Sequence, residues 1–111
     1  MIVLPGPGDP FDALGDPHRR AIVEVLRDGP CSVGEIAERL PISRPAVSRH
    51  LRLLTDAGLV ASAPEGTRRL YRLQDEGVEA VRGYLEAVWG DAAARFRLAA
   101  ENRPDPEDEA P

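Results

Sequence analysis

Two short amphipathic segments, separated by only three residues, constrain the fold of this chain more than any other feature. The first, SVGEIAERL, occupies residues 32–40. Its Ser32 and Glu35 have the spacing of a capping box, in which each side chain accepts a hydrogen bond from the other's backbone N–H. The connecting residues PIS begin with a proline, which ends this helix. The second segment is predicted to be helical over about 44–57, with Ser43 as its N-cap. This spacing is typical of a helix-turn-helix.

The segments around this pair complete the expected domain. The turn residues PEGT separate extended candidates at 59–63 and 68–73, which predicts a two-stranded hairpin. A further helix is predicted over about 17–28, with Asp16 before it as cap, and another over about 74–100. Because an isolated hairpin is only marginally stable in water, it must pack on the helices. We therefore expect a mainly α fold with a small β-hairpin, arranged as a winged helix-turn-helix.

The basic residues are concentrated where this motif lies. The chain has a formal net charge of −5 and all 14 basic side chains are arginine. Residues 39–72 contain seven arginines and two acidic residues, a net charge of +5. Since charges more than about 8 Å away are largely screened at physiological salt, the acidic remainder does not cancel this segment. The acidic total therefore does not exclude nucleic acid as a partner.

The second helix of the pair has the character of a DNA-reading helix. Its apolar stripe is Val47, Leu51 and Leu54, and steps of 100° place small and basic side chains on the opposite side. A helix of this kind fits the major groove of double-stranded DNA, where arginine can bind guanine in bidentate fashion. The alternative is that these arginines only form a solvated surface. The candidate DNA-binding residues are Ser43, Arg44, Pro45, Ser48, Arg49, His50, Arg52, Arg68 and Arg69.

Individual roles follow from chemistry and position. Arg49 is the candidate for guanine, and Ser48 for a base edge or a phosphate. Arg44 and Arg52 are expected to contact phosphates, while Arg68 and Arg69 belong to the wing, where they would contact the backbone or a narrow minor groove. Two roles stay open for the histidine that follows Arg49, namely a phosphate contact and a packed, hydrogen-bonded structural histidine.

The last predicted helix has an apolar stripe with little chain left to cover it. Its apolar residues recur at steps of three and four, close to a heptad pattern. Such a stripe favours a homodimer, with packing inside the chain's own small core as the alternative. The candidate interface residues are Phe11, Leu14, Val78, Val81, Leu85, Val88, Trp89, Ala92 and Phe96.

Composition bounds the domain and its compartment. Residues 1–10 are expected to be a flexible N-terminus, residues 11–100 the winged-helix DNA-binding and dimerisation domain, and residues 101–111 a disordered acidic tail. No apolar run approaches the roughly 18 residues of a membrane span, and the N-terminus lacks the basic flank of a signal peptide. The single cysteine excludes an internal disulfide and indicates a reducing compartment. We expect a cytoplasmic protein with no membrane partner.

Four segments resemble the ArsR/SmtB family of bacterial winged-helix regulators. They are LGDPHRRAIVEVL (14–26), SVGEIAERL (32–40), SRPAVSRHLRLLTDAGLV (43–60) and EGTRRLYRL (65–73). The resemblance implies a dimeric winged helix whose first and last helices form the interface. It also implies sequence-specific binding to imperfect inverted repeats in promoters, more often as a repressor than as an activator, with release by an effector that the sequence does not identify.

The chain departs from the metal-sensing members of that family. Where their motif carries a Cys-x-Cys pair, this chain has Ser32 and Gly34, and Cys31 falls at a position that is leucine in the motif. Other members chelate zinc or nickel through the last helix, but residues 74–100 contain no histidine. We therefore expect no cofactor.

One weak alternative to the absence of a metal stays open. A nitrogen/oxygen site for nickel or zinc near Asp12, Asp16 and His18 would make the protein a metal-responsive regulator with a non-standard site. The competing interpretation is that His18 faces solvent in the first turn of its helix.

Two further alternatives concern Cys31 and the class of protein. With Ser32 as N-cap, Cys31 and Ile36 occupy the positions of a hydrophobic staple, so the thiol is expected to be a small buried hydrophobe, with a redox role as the alternative. A winged helix could instead serve as a protein-interaction module or co-regulator. No nucleophile–base pair or glycine-rich phosphate loop is visible, so we expect no enzyme.

Overall fold

The computed structural model describes the backbone of residues 8–101 and the side chains of residues 8–92 and 100. Within this part the elements follow the predicted order, with one additional short helix at the start. They are α1 (Pro10–Leu14), α2 (Pro17–Leu26), α3 (Val33–Arg39), α4 (Arg44–Asp56), β1 (Val60–Glu65), β2 (Arg68–Leu73) and α5 (Asp75–Glu101). None of the helices described is both long and apolar enough to cross a membrane. The proposed N-terminal segment 1–10 and tail 101–111 lie almost wholly outside the described residues.

Side chains that cap their N-termini determine where the first four helices begin. Asp9 caps α1 and Asp16 caps α2, and in both cases proline occupies the first turn, where no N–H is needed. Ser43 accepts the N–H of Ala46 at 3.3 Å, as predicted for α4. A cap of this kind is worth about 1 kcal/mol, so local sequence alone determines these starts.

The core lies between the three central helices and β1. Ile22 of α2, Ile36 of α3, Leu51 of α4 and Val60 of β1 are fully buried in one cluster. Burying each such side chain is worth about 1.5–3 kcal/mol, and every one of these elements contributes to the cluster. The predicted buried stripe of α4 is confirmed.

The hairpin is longer than its sequence pattern indicated. We expected the turn to be PEGT, but Pro64 and Glu65 lie in β1, paired with Arg69 and Arg68. The loop therefore has two residues, and its first, Gly66, has φ of +62°. A two-residue loop with glycine at this position matches the twist of the strands, and proline is tolerated at a sheet edge. The correct turn is thus the tighter one.

Cys31 joins the hairpin to the helices. Its backbone N–H donates to the carbonyl of Tyr71 at 3.0 Å, and the N–H of Tyr71 donates back to the carbonyl of Cys31 at 2.8 Å. The Cys31 side chain is 5% exposed and belongs to the same core as Ile36. This supports the interpretation of Cys31 as a small buried hydrophobe.

The start of α5 packs closely against the end of α4. The N–H of Gly77 donates to the carbonyl of Gly58 at 2.8 Å, and a Cβ on Gly77 would lie 2.6 Å from the carbonyl oxygen of Ala57. Only glycine permits this approach. A first compact unit ends at Val81 and a second begins at Arg82, so the later part of α5 is described by itself.

Candidate nucleic-acid interface

The inner face of α4 fixes its orientation in the domain. Val47, Leu51 and Leu54 are fully buried. Because these positions recur every three to four residues, they occupy one side of the helix, and the residues between them must point away from the core.

The outer face of α4 is exposed and basic, as the sequence predicts. Arg49 and Arg52 carry the charge there, and Ser48 lies between Arg49 and the start of the helix. None of these three side chains has a hydrogen bond that would hold it away from a ligand among those recorded for the described residues. The exposed candidates on and before this helix are Ser43, Arg44, Pro45, Ser48, Arg49 and Arg52.

His50 differs from the other candidates on α4. Its side chain is 7% exposed, and its Nδ1 lies 3.5 Å from Nη1 of Arg19. Burial lowers the pKa of His50 below its ordinary value of 6.5, and the nearby Arg19 and Arg49 lower it further, although Asp16 opposes them. The neutral form of His50 is therefore favoured. Of its two open roles, this position supports the packed, hydrogen-bonded histidine.

Arg19 connects the N-terminal helices to α4 and was not identified from the sequence. Its Nε donates to the carbonyl of Ala13 at 2.7 Å, and its Nη2 to the carbonyl of Asp12 at 3.4 Å. The same guanidinium reaches His50. No local pattern marks Arg19, because its partners become neighbours only when α1, α2 and α4 pack.

Glu35 connects the helix-turn-helix to the wing, which is the hairpin β1–β2. It closes the predicted capping box with Ser32, whose backbone N–H donates to Glu35 Oε1 at 3.1 Å. The same oxygen accepts Nη1 of Arg68 at 3.1 Å. Hydrogen bonds from Ser32, its backbone N–H foremost, hold the pKa of Glu35 below the ordinary 4.5, and Arg68 adds to this effect. The capping residue was predictable, but its second partner was not.

The wing presents its arginines next to α3. Arg68 and Arg69 are exposed, and Arg69 Nη1 donates to Ser62 Oγ across the hairpin at 3.0 Å. An open groove of about 400 Å³ is lined by residues of α3, of β2 and of the start of α4. Its charged lining residues are Glu35, Glu38, Arg44, Arg68 and Arg69. Arginines of the wing and of the start of α4 thus line the same groove.

A second group of polar side chains lies at the start of α2. One ligand atom each of Asp16, His18 and His50 lie within 4.8 Å of one another. Asp12, which the sequence suggested as a third member, is not in this cluster. Burial raises the pKa of Asp16, but the backbone N–H groups of Arg19 and His18 outweigh it, so the pKa is lowered.

The candidate dimer residues divide by exposure. Phe11, Val78, Leu85, Val88 and Trp89 are between 38% and 52% exposed. Ala92 is also exposed, Leu14 and Val81 are half-buried, and the side chain of Phe96 lies outside the described residues. Within the second unit, the rings of Tyr84 and Trp89 meet edge to face, with centroids 6.0 Å apart.

Comparisons with known proteins show what this arrangement is similar to. A family model described as a helix-turn-helix domain matches residues 14–63. The HTH-type transcriptional regulator Rv2034 of Mycobacterium tuberculosis is 46% identical over 105 residues, which make up 95% of this chain and 98% of that protein. A crystal structure described as a possible transcriptional regulator for arsenical resistance gives a TM-score of 0.69 at 36% identity, and covers 92% of this chain and 100% of that chain.

A solution structure adds the architecture. It is described as the homodimeric winged helix-turn-helix DNA-binding domain Mb0332 of Mycobacterium bovis, a possible ArsR-family transcriptional regulator. Its TM-score is 0.60 at 29% identity, over 75% of this chain and 77% of that chain. These proteins are described as transcriptional regulators or possible transcriptional regulators. The chain therefore belongs to the ArsR/SmtB family of winged helix-turn-helix transcriptional regulators.

Proposed function

We propose that this chain binds double-stranded promoter DNA in a sequence-specific way and acts as a repressor in the cytoplasm. The observation that carries the proposal is the orientation of α4, which buries Val47, Leu51 and Leu54 and exposes a basic surface opposite them. A helix presented in this way enters the major groove with its outer side chains against base edges and phosphates.

The exposed side chains divide into reading and positioning groups. Arg49, near the middle of the outer face, reads guanine, and Ser48 contacts a base edge or a phosphate. Arg44 and Arg52 neutralise phosphates. Arg68 and Arg69 of the wing contact the neighbouring backbone or minor groove, with Ser43 and Pro45 close to the phosphates at the start of α4. His50, on the buried side of α4, contacts Arg19 of α2 and helps to hold the two helices together.

The functional unit is a homodimer. The helix α5 has an exposed apolar face, whose contact with water is unfavourable. This face includes Leu85, Val88 and Trp89. Packing against a second copy would cover it, together with Phe11 and the half-buried Leu14. Two copies present two α4 helices, so the operator should contain two half-sites about one helical turn apart as an inverted repeat.

The salt dependence of binding tests the proposal. Fluorescence anisotropy would measure the affinity for the promoter of the chain's own gene at several salt concentrations. If a dimer neutralises about six to ten phosphates, the logarithm of affinity should fall against the logarithm of salt with a slope of about −5 to −9. An affinity that does not respond to salt, or that is equal for an unrelated duplex, would contradict the proposal.

Metal responsiveness is a second candidate function, and among the residues that the structure describes it rests on the cluster at the start of α2. The expected site near Asp12, Asp16 and His18 is supported for Asp16 and His18, whose Oδ1 and Nδ1 atoms lie 3.9 Å apart. His50 takes the place expected for Asp12.

A further inference from the structure

We propose that Asp16, His18 and His50 form a binding site for a divalent transition metal ion of the Zn²⁺, Co²⁺ or Ni²⁺ class. The site would join the first turn of α2 to α4. It goes beyond the proposed DNA binding and does not depend on it.

The three side chains come from two elements that are far apart in the chain. His18 and His50 are 32 positions apart in sequence, yet their ring centroids lie 5.7 Å apart, at a tilt of 52°. Asp16 Oδ1 lies 3.9 Å from His18 Nδ1. Only the packing of α2 against α4 brings these groups together.

The distances are close to those that a metal ion needs. Two ligands at about 2.0–2.1 Å from a tetrahedral ion are about 3.4 Å apart. The donor atoms of this cluster lie within 4.8 Å of one another, so the largest gap must close by about 1.4 Å. The His18 side chain is exposed and can rotate, whereas His50 is held in the core. The adjustment therefore falls to the side chains of His18 and Asp16, which are 59% and 32% exposed, and not to His50.

The donor set selects the class of ion. Two imidazole nitrogens and one carboxylate oxygen suit zinc, cobalt and nickel, whereas calcium and magnesium prefer sites built of oxygen. Three protein ligands leave at least one position for water. Asp16 supplies the only negative charge of the set, and Arg19 and Arg49 lie close enough to His50 to oppose a cation.

Metal binding at this site competes with the contact that Arg19 already makes to His50. In a neutral imidazole only one of the two ring nitrogens can accept a hydrogen bond or bind a metal. Arg19 Nη1 lies 3.5 Å from Nδ1 of His50. A metal on Nδ1 would replace Arg19 there. A metal on Nε2 requires the proton on Nδ1, which then cannot accept from Arg19. In both cases metal binding removes the hydrogen bond between Arg19 and His50.

Two kinds of substitution should therefore have opposite effects on metal affinity. His18→Ala removes an exposed ligand, and Asp16→Asn removes the carboxylate while asparagine still caps α2. Each should weaken Zn²⁺ binding at least about tenfold, since losing even an outer partner of a ligand costs about that much. Arg19→Gln removes the competing guanidinium and should strengthen binding. Asp12→Asn is the matched control and should leave the affinity unchanged.

The measurement uses the full chain without a histidine tag and without DNA. Calorimetry with Zn²⁺ gives the affinity of each variant, and circular dichroism checks that each remains folded. Because the chain has two histidines, NMR of the imidazole C–H groups resolves both rings, and the two sets of signals should shift together as Zn²⁺ is added. A failure of operator binding would leave this result intact.

Three outcomes would overturn the site. They are the absence of saturable Zn²⁺ binding, a shift of only one histidine ring, and equal affinities for the wild-type, His18→Ala and Asp16→Asn proteins. Weaker binding by a folded Arg19→Gln variant would overturn the competition between metal and Arg19.

Discussion

The helices α4 and α5 are both amphipathic, but the apolar face of α4 is buried and that of α5 is exposed. On α4, Leu51 and its neighbours in the stripe are 0% exposed, because α2, α3 and β1 cover them. On α5, Val88 and Trp89 are each 52% exposed. The first helix completes a core inside one chain, and its outer face is free for a ligand. The second helix offers an apolar face that a partner would cover. The apolar face of α4 is thus a folding surface. The apolar face of α5, with Leu85, Val88 and Trp89, is an assembly surface.

The largest effect should follow from truncating the same residue type on the two helices. Leu51→Ala leaves a cavity in the core, so the free energy of unfolding should fall by about 2–5 kcal/mol. Leu85→Ala removes a half-exposed side chain and should change the unfolding of the isolated chain much less. Urea denaturation at low protein concentration measures both. Equal losses of unfolding free energy for the two variants would contradict the distinction between the buried face of α4 and the exposed face of α5.

The assembly surface can be tested by removing its aromatic side chain or by adding a charge to it. Trp89→Ala and Val88→Glu should each weaken the dimer by about 2 kcal/mol or more, about thirtyfold in the dissociation constant, because the first removes an aromatic anchor and the second buries an unpaired charge. Sedimentation over a range of concentrations gives that constant. The control is Ala87→Glu, which adds the same charge on the opposite face of α5 and should leave the dimer intact. If Val88→Glu and Ala87→Glu changed the dissociation constant equally, the interface would lie elsewhere.

The outer face of α4 is the next target. Arg49→Ala should cost about 1–3 kcal/mol of operator affinity and relax the sequence preference, since a bidentate contact with guanine would be lost. Arg27→Ala removes the same charge from an exposed position outside the candidate interface and should change the affinity little. Anisotropy titrations with the operator and with a half-site variant measure both effects. If the two arginines proved equivalent, α4 would supply charge only.

The smallest effect concerns the contact of Glu35 with the wing. The folded-state pKa of Glu35 is lowered, so its carboxylate contributes stability above the ordinary value of 4.5, and this contribution is lost as the pH falls through the lower folded pKa. Glu35→Gln should therefore be less stable than the wild-type protein near neutral pH, and the difference should shrink below pH 4.5. Thermal unfolding across this range measures it. The control is Glu38→Gln on the same helix, which should cost less stability near neutral pH than Glu35→Gln.

Local sequence patterns were sufficient for much of the fold. The starts of α2, α3 and α4 at Asp16, Ser32 and Ser43 were predicted because a cap involves residues only two or three positions apart. The hairpin was predicted, but its turn was placed over four residues, because Pro64 looked like a turn residue and is in fact tolerated at the edge of β1.

Contacts between distant residues were not predictable from such patterns. Arg19 meets His50 across 31 positions, and Glu35 meets Arg68 across 33. The pairing of Cys31 with Tyr71 likewise needs the hairpin and α2 in place. A single sequence carries no local signal for these pairs, because many arginines are available to each carboxylate or imidazole until packing selects one.

The sequence by itself therefore determined the order of α2 to α5, the caps of α2, α3 and α4, the buried stripe of α4 and the concentration of arginine around it. These follow from periodicity and from hydrogen bonds between near neighbours, which hold in any tertiary context. The tertiary structure alone decided that His50 turns inward, that Glu35 serves both a cap and the wing, and that Asp16 and His18 meet His50 instead of Asp12. The physical reason is that each of these depends on which surfaces pack against each other.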